Sequence, residues 1–274
     1  MSPDFSPGVG PAGPPPPVAV PFGERSFEVT EALDRAVPAG VGEHVEIYEV
    51  VHSARGRDWV AEADLVAKLV LARNPWAGSL LDVACGTGAH LRRFGSRFAR
   101  VAGVEPSPAM RGIAEARLPG VPVHAGDVRG FDLGVRFDAV TCLRFAIAHA
   151  RSLAELGAIA ECFARHLVHG GVLVVEPWWF PERFPEGCVS GSVVERDGVV
   201  VSRLSHSVRR GRTTSTTVRY TVAEASGIRD FTEREELGLF GEEEYLAAFA
   251  AAGISAAHVP GGLNGRGVFV GVRC

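Results

Sequence analysis

The sequence predicts an α/β fold: a doubly wound, mostly parallel sheet with an antiparallel β insertion before the C-terminal helix and strands. Short β-branched runs alternate with amphipathic segments between residues 79 and 176, as in a parallel sheet with helices on both faces. Period-two alternation takes over within residues 186–240, which is typical of antiparallel strands. The chain has 274 residues, 46% of them hydrophobic, so it is long and apolar enough to bury a sizeable core.

The start of the chain differs from the rest in its proline content. Eight prolines lie within residues 1–22, and proline lacks the backbone N–H that helices and sheets require. We therefore expect a disordered, proline-rich tail over residues 1–40 and a main domain formed by residues 41–185 and 241–274. The tail has neither the basic start nor the apolar run of a secretion signal, and no apolar segment reaches membrane-spanning length. We expect a cytoplasmic protein with no membrane association.

The main domain begins with two helices and continues as strand–helix pairs. Helical spacing of apolar residues predicts helices over residues 45–52 and 57–73. Turn-bounded apolar runs predict five strands, at residues 79–84, 101–105, 121–125, 137–143 and 171–176. The amphipathic segments between them predict helices at residues 90–98, 108–118 and 152–167. In such a sheet the ligand site lies at the carboxyl ends of the strands.

The C-terminal third contains the insertion and the last elements of the main domain. Residues 186–240 hold strand-like segments with hairpin signals at Asp197-Gly198 and Arg210-Gly211. A helix follows within residues 242–253, ended by Gly253. Strands at residues 254–260 and 267–272 complete the chain.

Charge and cysteine content exclude several classes of function. The formal net charge is −4, which argues against a nucleic-acid partner held by bulk phosphate attraction. The five cysteines are scattered without C-x-x-C or zinc-like spacing, so we expect neither a disulfide framework nor a metal site. Lys68 is the one lysine among 28 basic residues. This bias agrees with the codons of a GC-rich genome, and it also leaves arginines available to bind an anion bidentately.

A glycine-rich loop follows the first predicted strand. It reads Asp82-Val83-Ala84-Cys85-Gly86-Thr87-Gly88, and its glycines permit a tight turn and close approach of a ligand to the backbone. A dinucleotide-binding fingerprint requires a third glycine where this chain has Leu91. There is also no G-x-x-x-x-G-K-S/T phosphate loop. The loop therefore indicates a different adenosine-containing ligand.

Three carboxylates at strand ends identify that ligand as S-adenosylmethionine (SAM). Asp82 ends the first strand, where a carboxylate suits a cationic ligand, and SAM carries an ammonium and a sulfonium. Glu105 ends the second strand, 17 residues after Gly88, where it can accept both ribose hydroxyls. Asp127 follows the third strand and is placed to accept the adenine amino group. The register of all three with consecutive strands predicts SAM as the cofactor.

These residues resemble the class I SAM-dependent methyltransferases, whose sheet is Rossmann-like. Longer segments resemble the TDP-amino-sugar N-methyltransferases of macrolide biosynthesis, the desosamine- and mycaminose-type N,N-dimethyltransferases. The segments that carry this resemblance are LLDVACGTGAHL (80–91), GDVRGFDLG (126–134), VVEPWWFPERF (174–184), LSHSVRRG (204–211) and GGLNGRGVFVGV (261–272). The similarity runs from about Val41 to the C-terminus.

The resemblance implies a cytoplasmic, homodimeric enzyme of antibiotic biosynthesis that methylates the amine of a TDP-linked deoxyamino sugar. The insertion would bind substrate and form dimer contacts. The N-terminal helices would close over the cofactor and bring Tyr48 and Arg57 to it. The full set of expected cofactor-binding residues is Asp82, Ala84, Gly86, Gly88, Glu105, Asp127, Val128, Leu143, Tyr48 and Arg57.

Candidate residues for the acceptor side follow the fourth and fifth strands. His149 either accepts a proton from the substrate amine, since neutral imidazole is a base near physiological pH, or only positions the substrate. The remaining candidates for substrate binding are Trp178 and Phe180 as aromatic walls, Arg266 as a contact to the diphosphate, and His206 in the insertion.

One segment departs from the family pattern. After the fourth strand that pattern is close to M-F-S-S-I-G-H, whereas residues 143–149 read LRFAIAH. Because this segment lies where cofactor and substrate meet, two alternatives stay open. One is a methyltransferase acting on another small molecule, by O-methylation or on a different amine. The other is a SAM-fold protein that has lost catalysis and serves as a binding partner.

Overall fold

A computed structural model of the chain describes residues 45–274, apart from the side chains of Glu46 and Asn264. The predicted tail over residues 1–40, and the first residues of the predicted main domain, lie outside this range. Within it, no helix is both long and apolar enough to cross a bilayer.

The first half of the described chain has the predicted order of elements. Its strands are β1 (Ser79–Val83), β2 (Arg100–Glu105), β3 (Val123–Ala125), β4 (Phe137–Cys142) and β5 (Leu167–Val175). Its helices are α1 (Val45–Ala54), α2 (Trp59–Leu71), α3 (Ala89–Phe94), α4 (Pro108–Arg117) and α5 (Leu153–His166), with a 3-10 turn over Ala146–His149. Strand β5 begins four residues before its predicted start, because Leu167 already pairs with Phe137 of β4.

The insertion is an antiparallel sheet of four strands. These are β6 (Cys188–Arg196), β7 (Val199–Arg210), β8 (Thr213–Glu224) and β9 (Gly227–Gly238), paired in chain order. The Asp197-Gly198 turn is present, with φ values of +51° and +78°, which a type I′ hairpin requires. The next turn lies one residue later than predicted, because Arg210 still pairs with Thr213.

Helix α6 (Glu242–Ala251), strand β10 (Ile254–Val259), a 3-10 turn over Leu263–Gly265 and strand β11 (Val268–Arg273) close the chain. The main sheet has the order β10-β11-β5-β4-β1-β2-β3. Strand β11 runs antiparallel to both of its neighbours, whereas β1 to β5 are parallel. The carboxyl ends of the parallel strands therefore meet at one edge, and the predicted fold class is confirmed.

Helix α1 packs against one face of the antiparallel sheet. Ile47 and Val51 of α1 are buried against an apolar group from β7 and β8, formed by Val201, Val218, Tyr220 and Val222. Side chains alternate between the two faces of a strand, so the opposite face carries a different set. That face exposes large apolar residues, including Val189 at 75%, Val193 at 72% and Leu204 at 59%.

Candidate active site

The glycine-rich loop turns sharply between β1 and α3. Ala84, Gly86 and Gly88 all have positive φ values, of +58°, +57° and +78°. At Gly88 an added Cβ would lie 3.0 Å from Leu118 Cδ1 and 3.2 Å from Ala114 Cβ, so the position needs glycine for both its conformation and its packing. This geometry holds the loop backbone beside the end of β1.

Asp82 is a buried carboxylate at the end of β1. The residue is only 2% exposed, and its Oδ1 accepts a hydrogen bond from Thr141 Oγ1 of β4 at 2.7 Å. Burial raises the pKa of Asp82 to about 6, against the lowering effects of His90 and of the Thr141 hydrogen bond. A buried carboxyl group with a raised pKa gains most from a cationic ligand that restores its charged form.

Glu105 fixes the loop from the end of β2. Its Oε2 accepts the Gly86 N–H at 2.8 Å and its Oε1 accepts the Ser107 N–H at 2.8 Å. Burial raises the pKa of Glu105, and these two hydrogen bonds oppose that rise. Each carboxylate oxygen has a second lone pair, so Glu105 can hold the loop and still accept hydroxyl donors.

Asp127 and Val128 follow β3, as predicted. Asp127 forms a bidentate pair with Arg129, whose Nε and Nη2 lie 2.7 and 2.9 Å from its two carboxylate oxygens. The hydrogen bonds from Arg129 lower the pKa of Asp127, which keeps it charged. The Val128 side chain packs in the core. Adenine recognition by Asp127 stays a prediction, and it now includes Arg129, which the sequence did not single out.

A cavity opens where the loop, β4 and the N-terminal helices meet. Its aromatic wall is formed by Tyr48 and Trp59, and the lining also includes Asp82, Gly86 and Leu143. Its complete lining is Tyr48, Trp59, Asp82, Ala84, Cys85, Gly86, Thr87, Ala89, His90, Leu143 and Arg144. Tyr48 of α1 and Leu143 after β4 therefore lie beside the glycine loop, as the sequence predicted for cofactor-binding residues.

Arg57, the other predicted residue of the N-terminal segment, is not among the residues that line the cavity, but it lies against Trp59, which is. Its guanidinium lies 4.8 Å from the centre of the Trp59 ring, and Nη2 pairs with Glu62. Its Nε atom is buried without a hydrogen-bond partner among the described residues. An unpaired buried donor is costly, so this atom favours an anionic or accepting ligand group.

Glu49 ties α1 to the glycine loop, a contact that the sequence did not reveal. The Glu49 carboxylate accepts hydrogen bonds from Thr87 Oγ1 of the loop and from Arg117 of α4, whose Nη2 lies 3.2 Å from Oε2. Arg117 Nη1 also donates to the Thr87 carbonyl at 3.1 Å. Helix α1, which carries Tyr48 of the aromatic wall, is therefore anchored directly to the loop.

His149 ends the 3-10 turn after β4 and faces the insertion. It is exposed, and its positive form is the largest charge acting on Glu235 of β9, ahead of that of Arg144. Burial raises the pKa of Glu235, and both cations oppose that rise. Sequence reasoning missed Glu235, because it is one of several charged residues in an alternating strand. Its position across from His149 is a product of the tertiary fold.

Arg266 lies in an aromatic enclosure rather than in an open anion site. Its guanidinium carbon is 5.2 Å from the Trp178 ring, 5.3 Å from Trp179 and 5.4 Å from Phe145. Nη2 lies 3.4 Å from Oε1 of Glu176, which is fully buried. Burial lowers the pKa of Arg266 and Glu176 opposes this. Glu176 balances this charge inside the protein, while Arg266 Nε is buried without a hydrogen-bond partner among the described residues. The diphosphate contact of Arg266 stays a prediction.

The three other residues expected to bind substrate are Trp178, Phe180 and His206, and each lies in different surroundings. Trp178 is half-buried, and its Nε1 donates to Thr214 Oγ1 at 3.0 Å, so it joins the insertion to the end of β5. Phe180 is 4% exposed and packs against Phe269 in the core, which leaves little surface for substrate. His206 pairs with Val189 and Thr217 on the sheet face opposite α1, because side chains alternate along β7. It does not face the cleft that holds His149.

Comparison with known proteins decides the family. Residues 80–171 match the family model of a methyltransferase domain. The chain is 58% identical over 231 residues to dTDP-4-amino-2,3,4,6-tetradeoxy-D-glucose N,N-dimethyltransferase from Saccharopolyspora spinosa, covering 84% of this chain and 93% of that protein. The chain is a member of the TDP-amino-sugar N,N-dimethyltransferase family. This methyltransferase is also 48% identical to dTDP-3-amino-3,4,6-trideoxy-alpha-D-glucopyranose N,N-dimethyltransferase from Streptomyces venezuelae, over 84% of its own length and 98% of the other.

A solved structure extends the likeness to three dimensions. The SAM-bound structure of CalS10, an amino pentose methyltransferase from Micromonospora echinaspora, matches the methyltransferase with a TM-score of 0.78 and 51% identity, covering 83% and 97% of the two chains. The protein is a SAM-dependent methyltransferase, as the sequence predicted. The site fits that cofactor: Asp82 supplies a buried carboxylate for a cation in the cavity, and beside the cavity the buried Nε of Arg57 lacks an acceptor among the described residues.

Replacing Glu49 by Gln is expected to weaken SAM binding by the methyltransferase by about tenfold. A hydrogen bond to a charged group contributes about 1.5–3 kcal/mol, and without the charge α1 loses its anchor on the loop. Calorimetric titration with SAM measures the change. Glu161→Gln, at an exposed site on α5, is the matched control. An unchanged affinity in Glu49→Gln would show that α1 does not need this anchor.

Proposed function

We propose that this enzyme transfers methyl groups to the amine of a TDP-linked deoxyamino sugar in antibiotic biosynthesis, in the cytoplasm and as a homodimer. The observation that carries the proposal is the 58% identity over 93% of a relative named for such a reaction. The two relatives above differ in the sugar position of the amine, position 4 in one and position 3 in the other. The amine itself is the feature that they share.

We propose cofactor-binding roles for residues that line the cavity or lie beside it. SAM supplies a methyl group on a sulfonium, an electrophile that needs no nucleophilic side chain. Asp82 binds the ammonium of its methionine part, and Glu105 binds the ribose hydroxyls. Asp127, paired with Arg129, accepts a hydrogen bond from the adenine amino group. The surface of the proposed SAM site is shaped by the loop residues Ala84, Gly86 and Gly88 and by the neighbouring Val128 and Leu143. Tyr48 and Arg57 cover this surface. Alignment of the two reactants supplies most of the rate enhancement, on the order of 7–11 kcal/mol.

The acceptor amine must lose a proton before it can attack. An ordinary alkyl amine with a pKa of about 10.4 is almost fully protonated at neutral pH. We propose that His149 takes this proton and that the nearby Glu235 carboxylate stabilises the resulting imidazolium. Among the charges that oppose the pKa rise that burial gives Glu235, the positive form of His149 is the largest, which supports placing the two groups in one pair.

Two arginines on the same side of the insertion suit the diphosphate. Burial and the neighbouring Arg203 both lower the pKa of Arg55. Arg203 donates to Ser205 Oγ at 3.0 Å and to the Tyr220 hydroxyl at 3.4 Å. Neither arginine forms an ion pair within residues 45–274. A bound anion stabilises neighbouring like charges, so we propose Arg203 and the exposed Arg55 as diphosphate ligands in place of Arg266.

The proposed dimer uses the outer face of the insertion. Val189, Val193 and Leu204 share this face with His206, opposite the face that α1 covers. Exposed apolar residues grouped on one sheet face are a common mark of an interface. Sedimentation of wild type and of Val193→Glu tests it: the variant should be monomeric, and a wild type that is already monomeric would exclude the dimer.

Removing either member of the proton-accepting pair is expected to lower kcat by about 100-fold. A general base contributes roughly 10²–10⁴ in rate, and His149→Gln or Glu235→Gln removes the pair's function. Because the two act as one unit, the double variant should be no slower than the singles. Glu236→Gln, on the opposite face of β9, is the control. A raised KM with unchanged kcat would instead indicate that the pair only positions the substrate.

The activity is tested by mass spectrometry on TDP-4-amino, TDP-3-amino and hydroxyl-only deoxysugars. We expect two methyl groups on an amino sugar and none on the hydroxyl sugar. Methylation confined to hydroxyl sugars would establish O-methylation, the alternative suggested by the altered residues 144–148. SAM binding without turnover on any member of the panel would favour a catalytically inactive protein.

A further inference from the structure

Arg144 introduces a charge at a position where the family pattern has phenylalanine. Its backbone has φ of +54°, and the next residue, Phe145, has φ of +52°. Two consecutive non-glycine residues in this region are rare and need support from their surroundings. The support here is a hydrogen bond of 2.6 Å from the Arg144 N–H to Oε2 of the buried Glu176. The chain is thus held in the conformation that turns the Arg144 side chain into the cofactor cavity.

The guanidinium of Arg144 is enclosed and forms no ion pair within residues 45–274, although its charge also acts on Glu235 of β9. It lies 5.2 Å from the centre of the Tyr48 ring and 5.7 Å from that of Trp59. Nη2 is 3.3 Å from His52 Nε2, and burial, reinforced by Arg144 itself, lowers the pKa of His52 to about 2. His52 is therefore a neutral acceptor. Nη1 is buried without a partner, and no carboxylate within residues 45–274 pairs with this guanidinium.

Near Arg144, the guanidinium group of Arg57 also has a donor without a hydrogen-bond partner. It lies against the same Trp59 ring as Arg144, at 4.8 Å, and its Nε is also buried without a hydrogen-bond partner among the described residues, as is Nε of Arg266. Two unpaired donors on neighbouring guanidinium groups match an anion with two oxygens, because arginine and carboxylate form short charge-assisted bonds. The cavity that Arg144 lines is also lined by Asp82, for which we propose cation binding. The ligand therefore presents a carboxylate and an ammonium close together.

We propose that Arg144, together with Arg57, binds the methionine carboxylate of SAM. The α-amino acid end of SAM carries both charges on one carbon, so a single ligand satisfies Asp82 and the two arginines. The inference rests on SAM as the cofactor and on the ammonium site assigned to Asp82 under the proposed function. It is independent of which sugar accepts the methyl group.

The test compares ligands that differ only in the carboxylate. Calorimetric titration measures the Kd of S-adenosylhomocysteine, of its decarboxylated analogue, and of methylthioadenosine, which lacks the whole amino acid. We expect the wild type to prefer S-adenosylhomocysteine over the decarboxylated analogue by about 10–100-fold, the value of a hydrogen bond to a charged group. In Arg144→Gln this preference should shrink by at least tenfold, with methylthioadenosine affinity unchanged. Arg92→Gln, at an exposed site on α3, should behave as wild type.

Further variants keep the test decisive. Arg144→Lys retains the positive charge but lacks the planar guanidinium group, so it should keep part of the preference for S-adenosylhomocysteine over the decarboxylated analogue. If Arg144→Gln does not fold, Arg144→Lys serves as the test variant. The proposal is overturned if either variant keeps the full wild-type preference, or weakens all three ligands equally. It is also overturned if Arg144→Gln loses affinity for TDP while retaining S-adenosylhomocysteine, which would place the diphosphate at this guanidinium. None of these measurements uses an amino sugar, so an error in the proposed acceptor leaves the test intact.

Discussion

Asp82→Asn is expected to weaken SAM binding by about 100-fold or more while making the ligand-free enzyme more stable at neutral pH. Removing one member of a buried, hydrogen-bonded charge pair costs about 2–5 kcal/mol of binding, and Asp82 is the carboxylate assigned to the SAM ammonium. Asparagine keeps the oxygen that accepts the Thr141 hydroxyl. The substitution therefore removes the charge and leaves the local packing in place.

The stability gain follows from the pKa of Asp82, about 6 in the folded protein against an ordinary value of 3.8. Below the ordinary value the group is neutral in both states and folding carries no penalty. As the pH rises toward 6, the unfolded chain ionises first, so the stability of the folded state falls. Above 6 the penalty is complete, and it amounts to about 3 kcal/mol. The uncharged asparagine of the variant avoids this loss.

Urea unfolding of ligand-free protein at pH 4, 5, 6 and 7 measures the gain, and titration with SAM measures the affinity. The difference in unfolding free energy between Asp82→Asn and wild type should be near zero at pH 4 and should grow up to pH 6–7. Asp197→Asn, in an exposed hairpin turn, should show no such trend. A variant that is less stable than wild type at pH 7, or that binds SAM normally, would contradict this account of the site.

Arg266→Met is expected to destabilise the fold by about 3–5 kcal/mol without changing the affinity for TDP. Breaking a buried ion pair by removing one member costs about this much, because the other charge stays buried. Glu176 is fully buried beside Arg266, and it also accepts the Arg144 N–H. The loss should therefore appear in stability first.

A double-mutant cycle separates this effect from a role in substrate binding. Glu176→Gln alone should also be destabilised, whereas the double variant with Arg266→Met should recover much of the loss, since no uncompensated charge remains. Urea unfolding gives the three free energies, and Arg183→Met, at an exposed position, is the control. A stable Arg266→Met protein with weakened TDP binding would restore the diphosphate contact that the sequence suggested.

The order of elements was predictable because apolar periodicity changes with each kind of structure. The positions of Asp82 and Glu105 were predictable for the same reason, since each lies at the end of a recognisable strand. The contacts that could not be predicted join distant parts of the chain. Glu49 reaches the glycine loop, and Glu235 faces His149, only because of how the sheets and α1 pack. Arg266 sits between glycines, which indicated an open loop, yet three aromatic rings from other segments enclose it.

Helix α1 contacts three functional parts of the enzyme through different side chains. Ile47 and Val51 pack on the antiparallel sheet, Tyr48 lines the cofactor cavity, and Glu49 holds the glycine loop. A ligand that orders this helix from one side removes part of the entropic cost of ordering it from the other. We therefore expect the cofactor and the sugar nucleotide, at its proposed site on Arg55 and Arg203, to raise each other's affinity by the same factor.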